Sequence, residues 1–194
     1  MMRTIERSEI LELGEYELVR PHFRARVIAE KKPRRVALGG DIAVVFENRD
    51  SVLLQIQEML RTERITAEPA VLHEISTYNE LVPAAGELSV TLFVQIPERE
   101  LRDRLLVEWA GLEDALAVEV DGVAFAARGP RPAGWIAERT TAVHYLKATL
   151  SAEAVAAIVA GTAKVALVVA HPRVALRADL ARATVKPLAE DLTG

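Results

Sequence analysis

Five side chains able to ligate a metal ion crowd one stretch of the sequence: Glu58, Glu63, His73, Glu74 and Glu80. A neutral imidazole with carboxylates suits iron, manganese or zinc, and leaves positions open for water or an oxidant. The candidate ligand set is Glu58, His73 and Glu80, with Glu74 beside them. His73 and Glu80 are seven residues apart, so on a helix they share one face at a spacing of two turns. The helical phase argues the other way. Val52, Ile56, Met59 and Leu60 form one apolar stripe, Val71, Ile75, Tyr78 and Val82 another, and the ligand set lies off both. A metal site there needs the polar faces covered by something further, such as a second subunit. The Glu-x-x-His pair of ferritin-like di-iron helices is also missing. The plainer reading leaves Glu58, His73 and Glu80 facing solvent. Glu63 and Asn79 fall on or near the stripes. They read as a helix-end carboxylate that reaches water and a structural amide with satisfied partners.

A second cluster is basic: Arg24, Arg26, Lys31, Lys32, Arg34 and Arg35, opposed locally by Glu30 alone. Such a cluster can grip phosphate or RNA. It has no interleaved aromatics beyond Phe23, and the chain as a whole is acidic. A solvated helix end that pairs with carboxylates elsewhere is the simpler account. Gly39-Gly40-Asp41 is too short for a phosphate loop, and no Gly-x-Ser-x-Gly elbow occurs. His144 shares a strand face with Leu146 and reads as a packed histidine. No catalytic residue is assigned.

The elements that must position these groups follow from periodicity. Residues 11–28 read as helix, with Pro21 expected to split it in two. Residues 34–47 alternate around Gly39-Gly40-Asp41 and read as a β-hairpin. Residues 51–63, capped by Asp50, and residues 67–81 read as a helical hairpin within 51–82, because only a short link separates them. Strands are expected at 88–96, 117–120, 123–126, 143–150 and 164–170. Helices are expected at 98–109, 151–160 and 178–192, and a loop at 129–134. The strand face of Val90, Leu92, Val94 and Ile96 is expected to pack on a helix face carrying Leu101, Leu105 and Trp109. The fold class is therefore α+β. A helix-rich part spans 1–86 and a mixed-sheet part with two or three helices spans 87–194, together one compact unit.

The chain has 194 residues, of which 51% are hydrophobic, 27% charged and 5% aromatic, so it can bury a full core without staples. There is no Cys, which excludes disulfides, thiol catalysis and thiolate metal sites. With 24 Lys+Arg against 28 Asp+Glu, the net charge of −4 gives no global basic field for nucleic acid or an anionic membrane. No signal-like or membrane-length apolar run is visible, and a cytoplasmic location is expected.

Three groups of strings carry a family resemblance. They are Phe46-Glu47-Asn48-Arg49-Asp50, Gln55-Ile56-Gln57-Glu58-Met59-Leu60-Arg61 and His73-Glu74-Ile75-Ser76-Thr77-Tyr78-Asn79-Glu80-Leu81. With Tyr16, Arg20, residues 23–28, 34–36 and 87–93, they resemble an uncharacterised bacterial family, the domain of unknown function family 3501. The resemblance covers nearly the whole chain and confers no activity. It implies a bacterial cytoplasmic protein encoded near rubrerythrin-like and iron–sulfur proteins, partners by family analogy only. That setting points to a non-catalytic accessory or scaffold protein beside iron, redox or peroxide chemistry. The alternatives are a metal-binding protein or metalloenzyme using the Glu/His set, and a phosphate or RNA binder using the 24–35 cluster. A homodimer is expected if the rear faces of the helical pair, with Leu54, Glu58 and Arg61, meet a symmetry mate reciprocally.

Overall fold

The structure, a computed structural model, describes residues 3–131 and 134–193. Part of the expected 129–134 loop therefore lies outside the described residues. Eight strands form two antiparallel sheets. β1 (Arg35–Gly39), β2 (Ile42–Glu47), β3 (Glu87–Val94) and β6 (Val143–Thr149) lie side by side in that order. β5 (Val123–Ala126), β4 (Leu116–Val120), β7 (Val165–His171) and β8 (Val174–Asp179) form the second sheet. The expected hairpin over 34–47 is β1–β2, and Gly39 and Gly40 take φ of +141° and +50° at its turn. Asp121 and Gly122 turn β4 into β5 with φ of +49° and +85°.

The α+β class stands, but the C-terminal strands do not make a mixed sheet of their own. β3 pairs with β2 from Ile42↔Val94 to Glu47↔Ser89, so the first sheet crosses the 86/87 division. The reason is hydrogen bonding: β2 would otherwise expose an apolar edge, and β3 supplies the missing partner. The two sheets also approach at their edges. Arg128 bridges to Lys147 beside β6, and β1 lies against β8, where a Cβ on Gly39 would meet the Leu176 side chain at 3.2 Å.

Alternation sets the core. Ile42, Val44 and Phe46 of β2, and Val90, Leu92 and Val94 of β3, point inward onto Val118 of β4 and Leu167 of β7. α4 (Arg99–Glu108) adds Leu106, while Leu101, Leu105 and Trp109 pack at its margin, as the sequence predicts. α5 (Ala152–Val159) and α6 (Arg182–Thr193) contribute Ile158 and Leu188 to the same core.

A second apolar cluster belongs to the helical pair, α2 (Arg49–Thr62) and α3 (Glu68–Asn79). Val52, Ile56, Leu60, Val71, Ile75 and Val82 form it with Ile5 and Ile10 of the N-terminal segment. The cap of α2 is Asn48 rather than Asp50: Asn48 accepts from the Ser51 backbone while the Asn48 backbone N–H donates to Ser51 Oγ. α1 (Leu13–Lys31) runs unbroken through Pro21, against the expected split. Arg20, next to the proline, is held by Glu58 of α2, so one lost backbone donor does not end the helix. One further expectation changes. Residues 174–179 are β8, so α6 starts at Arg182 rather than near 178. Asn79 is the satisfied amide: it accepts from the Ile5 N–H at 2.8 Å and donates to the Ile5 carbonyl at 2.9 Å.

Candidate functional site

The helical layer is where the metal reading placed its ligands, and its geometry gives Glu58 a structural role instead. Glu58 faces α1. Arg20 Nε donates to Glu58 Oε1 at 2.7 Å and Arg20 Nη2 to Oε2 at 2.9 Å, a two-pronged pair. The hydroxyl of fully buried Tyr16 donates to the same Oε1 at 2.7 Å. The Arg20 hydrogen bonds outweigh partial desolvation and hold the Glu58 carboxyl down at about 2. Burial, then the bond to Glu58, pushes the Tyr16 phenol upward. Arg61 pairs in turn with Glu17 of α1. The rear face of α2 is thus covered by α1 of the same chain, where the sequence reading put a symmetry mate. Tyr16, Arg20 and Glu17 could not be matched to Glu58 and Arg61 beforehand, because nothing in their spacing reveals which helix crosses which.

The four expected ligands do not come together. His73 and Glu80 are exposed on α3 and its C-terminal cap, and Glu74 is half-buried on α3. Among the described residues no three His, Asp or Glu side chains are grouped so as to hold a metal ion. The physical reason is the helical phase: α3 turns its apolar stripe toward α2, and these polar groups away from it. Glu63 is exposed at the end of α2, as the plainer reading has it.

The basic cluster is dispersed among internal partners. Arg26 pairs with Glu30 and Asp50, Lys31 with Glu47 and Arg34 with Asp191 of α6. Arg35 donates to Gln95 Oε1 at 2.6 Å and lies 5.8 Å from the Phe93 ring centroid. Arg24 and Lys32 stay exposed. Four of six cations are therefore held within the fold, and they do not form one open phosphate-gripping face.

Two polar centres were not foreseen. Glu47, at the end of β2, is almost fully buried under the helical layer. It accepts from Thr91 Oγ1 of β3 at 2.7 Å, Ser51 Oγ of α2 at 2.5 Å, Gln55 Nε2 at 3.2 Å and Lys31 Nζ of α1 at 3.0 Å. One carboxylate thus pins two helices to the outer face of the first sheet. Strand alternation was the available signal, since Glu47 falls out of phase with inward Phe46.

The second centre is Glu113, which accepts from Thr140 Oγ1 at 2.7 Å, Trp135 Nε1 at 2.9 Å and Arg131 Nη1 at 2.6 Å. Thr140 Oγ1 lies 2.8 Å from His144 Nε2. Desolvation pushes Glu113 up, but the hydrogen bonds from Thr140, its own backbone and Trp135 bring it net below the usual carboxylate range. Burial holds His144 below the usual imidazole range. A neutral ring protonated at Nε2 fits every partner: it donates to the Thr141 carbonyl at 2.8 Å while Thr140 donates to Glu113. The packed-histidine reading describes this residue.

The class of protein is set by this arrangement: an antiparallel two-sheet α+β core carrying a three-helix layer fastened by buried and half-buried ion pairs. The chain belongs to the DUF3501 family, whose model, described as "Protein of unknown function (DUF3501)", matches residues 4–192. It is similar to a solved structure from Burkholderia pseudomallei K96243, described as a novel protein of unknown function. The two share 32% identity at a TM-score of 0.89, with 98% of this chain and 100% of that chain covered. No curated protein matches the chain. No helix among the described residues is long and apolar enough to cross a membrane.

Proposed function

We propose that this protein is a non-catalytic accessory protein that works by docking another protein onto the outer face of α1. The observation that carries this reading is Leu18. α1 is held through a stripe containing Tyr16, Arg20, Phe23 and Val27, and Leu18 lies on the opposite side with 80% of its surface exposed. Val19, the next residue, and Ile28, nearly three turns further along α1, are also exposed. Three solvated aliphatics on one fixed helix fit an apolar contact surface. The internal use of Glu47, Glu58 and Glu113 supports the same reading, because each carboxylate already serves the fold. The iron, redox or peroxide setting implied by the family resemblance names the proteins to try first as partners, alongside a second copy of this chain.

The test is size-exclusion chromatography of extract from cells that make the protein at its natural level. The wild-type chain is expected in a complex of defined mass, and a Leu18→Glu/Ile28→Glu variant as a free monomer. Both side chains are exposed, so the variant should keep its melting temperature. A wild-type chain that elutes alone, or a variant that stays in the complex, overturns the proposal. A stoichiometric transition metal on untagged protein would also overturn it, in favour of metal chemistry.

A further inference from the structure

A cavity lies away from α1, against the second sheet. It is a groove of about 1100 Å³ that opens where β7 begins and β8 ends, between the C-terminal end of α5 and the first turns of α6. Its floor is aliphatic, with Ile158 and Val165 buried and Val185 half-buried. Its rim carries Lys164, Arg177, Arg182 and Lys186 against one lining carboxylate, Asp179. Arg177 is engaged by Glu119 at 2.9 Å and by Asp179 at 3.1 Å. Lys164, Arg182 and Lys186 pair with no carboxylate among the described residues. The lining contains no aromatic ring.

We propose that this groove binds a monomeric aliphatic amphiphile with a phosphate head. The three unpaired cations, with Arg177 beside them, create a positive field along the lining of an apolar slot. A phosphate monoester carries close to two negative charges and three acceptor oxygens, so it can engage several of them through charge-assisted hydrogen bonds. The first turn of α6, which carries Arg182 and Ala183, adds its backbone dipoles to that field. The body of the ligand follows from the floor. Without an aromatic side chain the groove offers no stacking platform for a nucleobase. Its valine, isoleucine and alanine surface matches a hydrocarbon chain, which gains free energy by leaving water. The volume lies just above the usual range of ligand pockets, with room for a chain of medium length beside its head. This site is separate from the α1 face, and its failure leaves the docking reading standing.

The experiment is isothermal titration calorimetry of the full chain with dodecyl phosphate, kept below its micelle-forming concentration. Saturable binding of one molecule per chain is expected. Inorganic phosphate and decanol should each bind at least about tenfold more weakly, since each lacks half of the recognition. An Arg182→Ala/Lys186→Ala variant should lose about tenfold or more in affinity at an unchanged melting temperature, because both side chains are exposed. Arg99→Ala, on α4 away from the groove, should bind as the wild type does. Absence of saturable heat, equal affinity in the double variant, or equal binding of dodecyltrimethylammonium overturns the site. Equal affinity for dodecanoate overturns the phosphate head. Binding only to vesicles of phosphatidic acid in phosphatidylcholine overturns the monomeric ligand in favour of a membrane surface.

Discussion

Arg20 and Glu58, 38 residues apart in the chain, meet through two hydrogen bonds of 2.7 and 2.9 Å, and that pair fastens α1 to α2. A residue whose type suggested a metal ligand is thereby a structural anion. Both side chains remain about one quarter exposed, so water screens part of the attraction.

Glu58→Gln should therefore cost about 1–2 kcal/mol at neutral pH, after allowing for that screening. The folded carboxyl is held at about 2, below its ordinary 4.5. Its contribution is thus complete above that ordinary value and disappears as pH falls toward 2. Urea titrations of both proteins should differ at pH 7 and converge near pH 2. A gap that persists at pH 2 would show that Glu58 acts through packing rather than charge.

Arg34→Ala should be more damaging. Arg34 and Asp191 are both nearly buried, and they join the start of β1 to α6. Burial already pushes Asp191 upward in spite of its partner. Without the guanidinium an unpaired carboxylate is left inside, at a cost of about 3–5 kcal/mol. Because Asp191 then protonates more readily in the folded state, the deficit should shrink as pH falls toward 4. An Arg34→Met/Asp191→Leu double variant should recover most of the loss. Denaturation midpoints of the three proteins at pH 7 and pH 4 check both statements.

His144 gives the fold a pH dependence of opposite origin. Burial lowers its folded pKa below the ordinary 6.5, so the unfolded chain binds this proton first. Its penalty is absent above pH 6.5 and grows as pH falls below it. The wild-type melting temperature should decline between pH 7 and pH 5, and His144→Asn should flatten that decline. Scanning calorimetry across this range reads the difference. Equal slopes would show that His144 is protonated in the folded state.

Two glycines should respond in opposite ways to alanine. A Cβ at Gly129 would overlap the Tyr145 carbonyl oxygen, where the segment after β5 closes onto β6. Gly129→Ala should destabilise the protein by about 1–3 kcal/mol, since backbone must move. Gly14 lies in the first turn of α1 with nothing within 4 Å of an added Cβ. Gly14→Ala should stabilise by about 0.4–1 kcal/mol through the unfolded chain. Thermal melts of both variants provide the check.

The amino-acid sequence by itself determined what depends on neighbours along the chain. The α+β class, the β1–β2 and β4–β5 hairpins and the α2–α3 pair all follow from local periodicity and turn chemistry. Even the local record has gaps. Arg64 closes α2 in a left-handed conformation with φ of +52°, and the Ile65 N–H donates to the Leu60 carbonyl, a cap that no glycine announces.

Tertiary structure alone decided the pairing of groups distant in sequence. It joined Glu58 to Arg20 and Tyr16, Glu47 to Thr91 and Lys31, Arg34 to Asp191, and Glu113 to Thr140 and Arg131. It also brought Lys164 of the turn before β7 beside Arg177, Arg182 and Lys186, although nothing in the spacing of these four suggests one rim. The reason is that a charged side chain is compatible with solvent, with a partner or with a ligand alike. Periodicity shows which way it points from its own element. What lies there is set by how the sheets and helices stack.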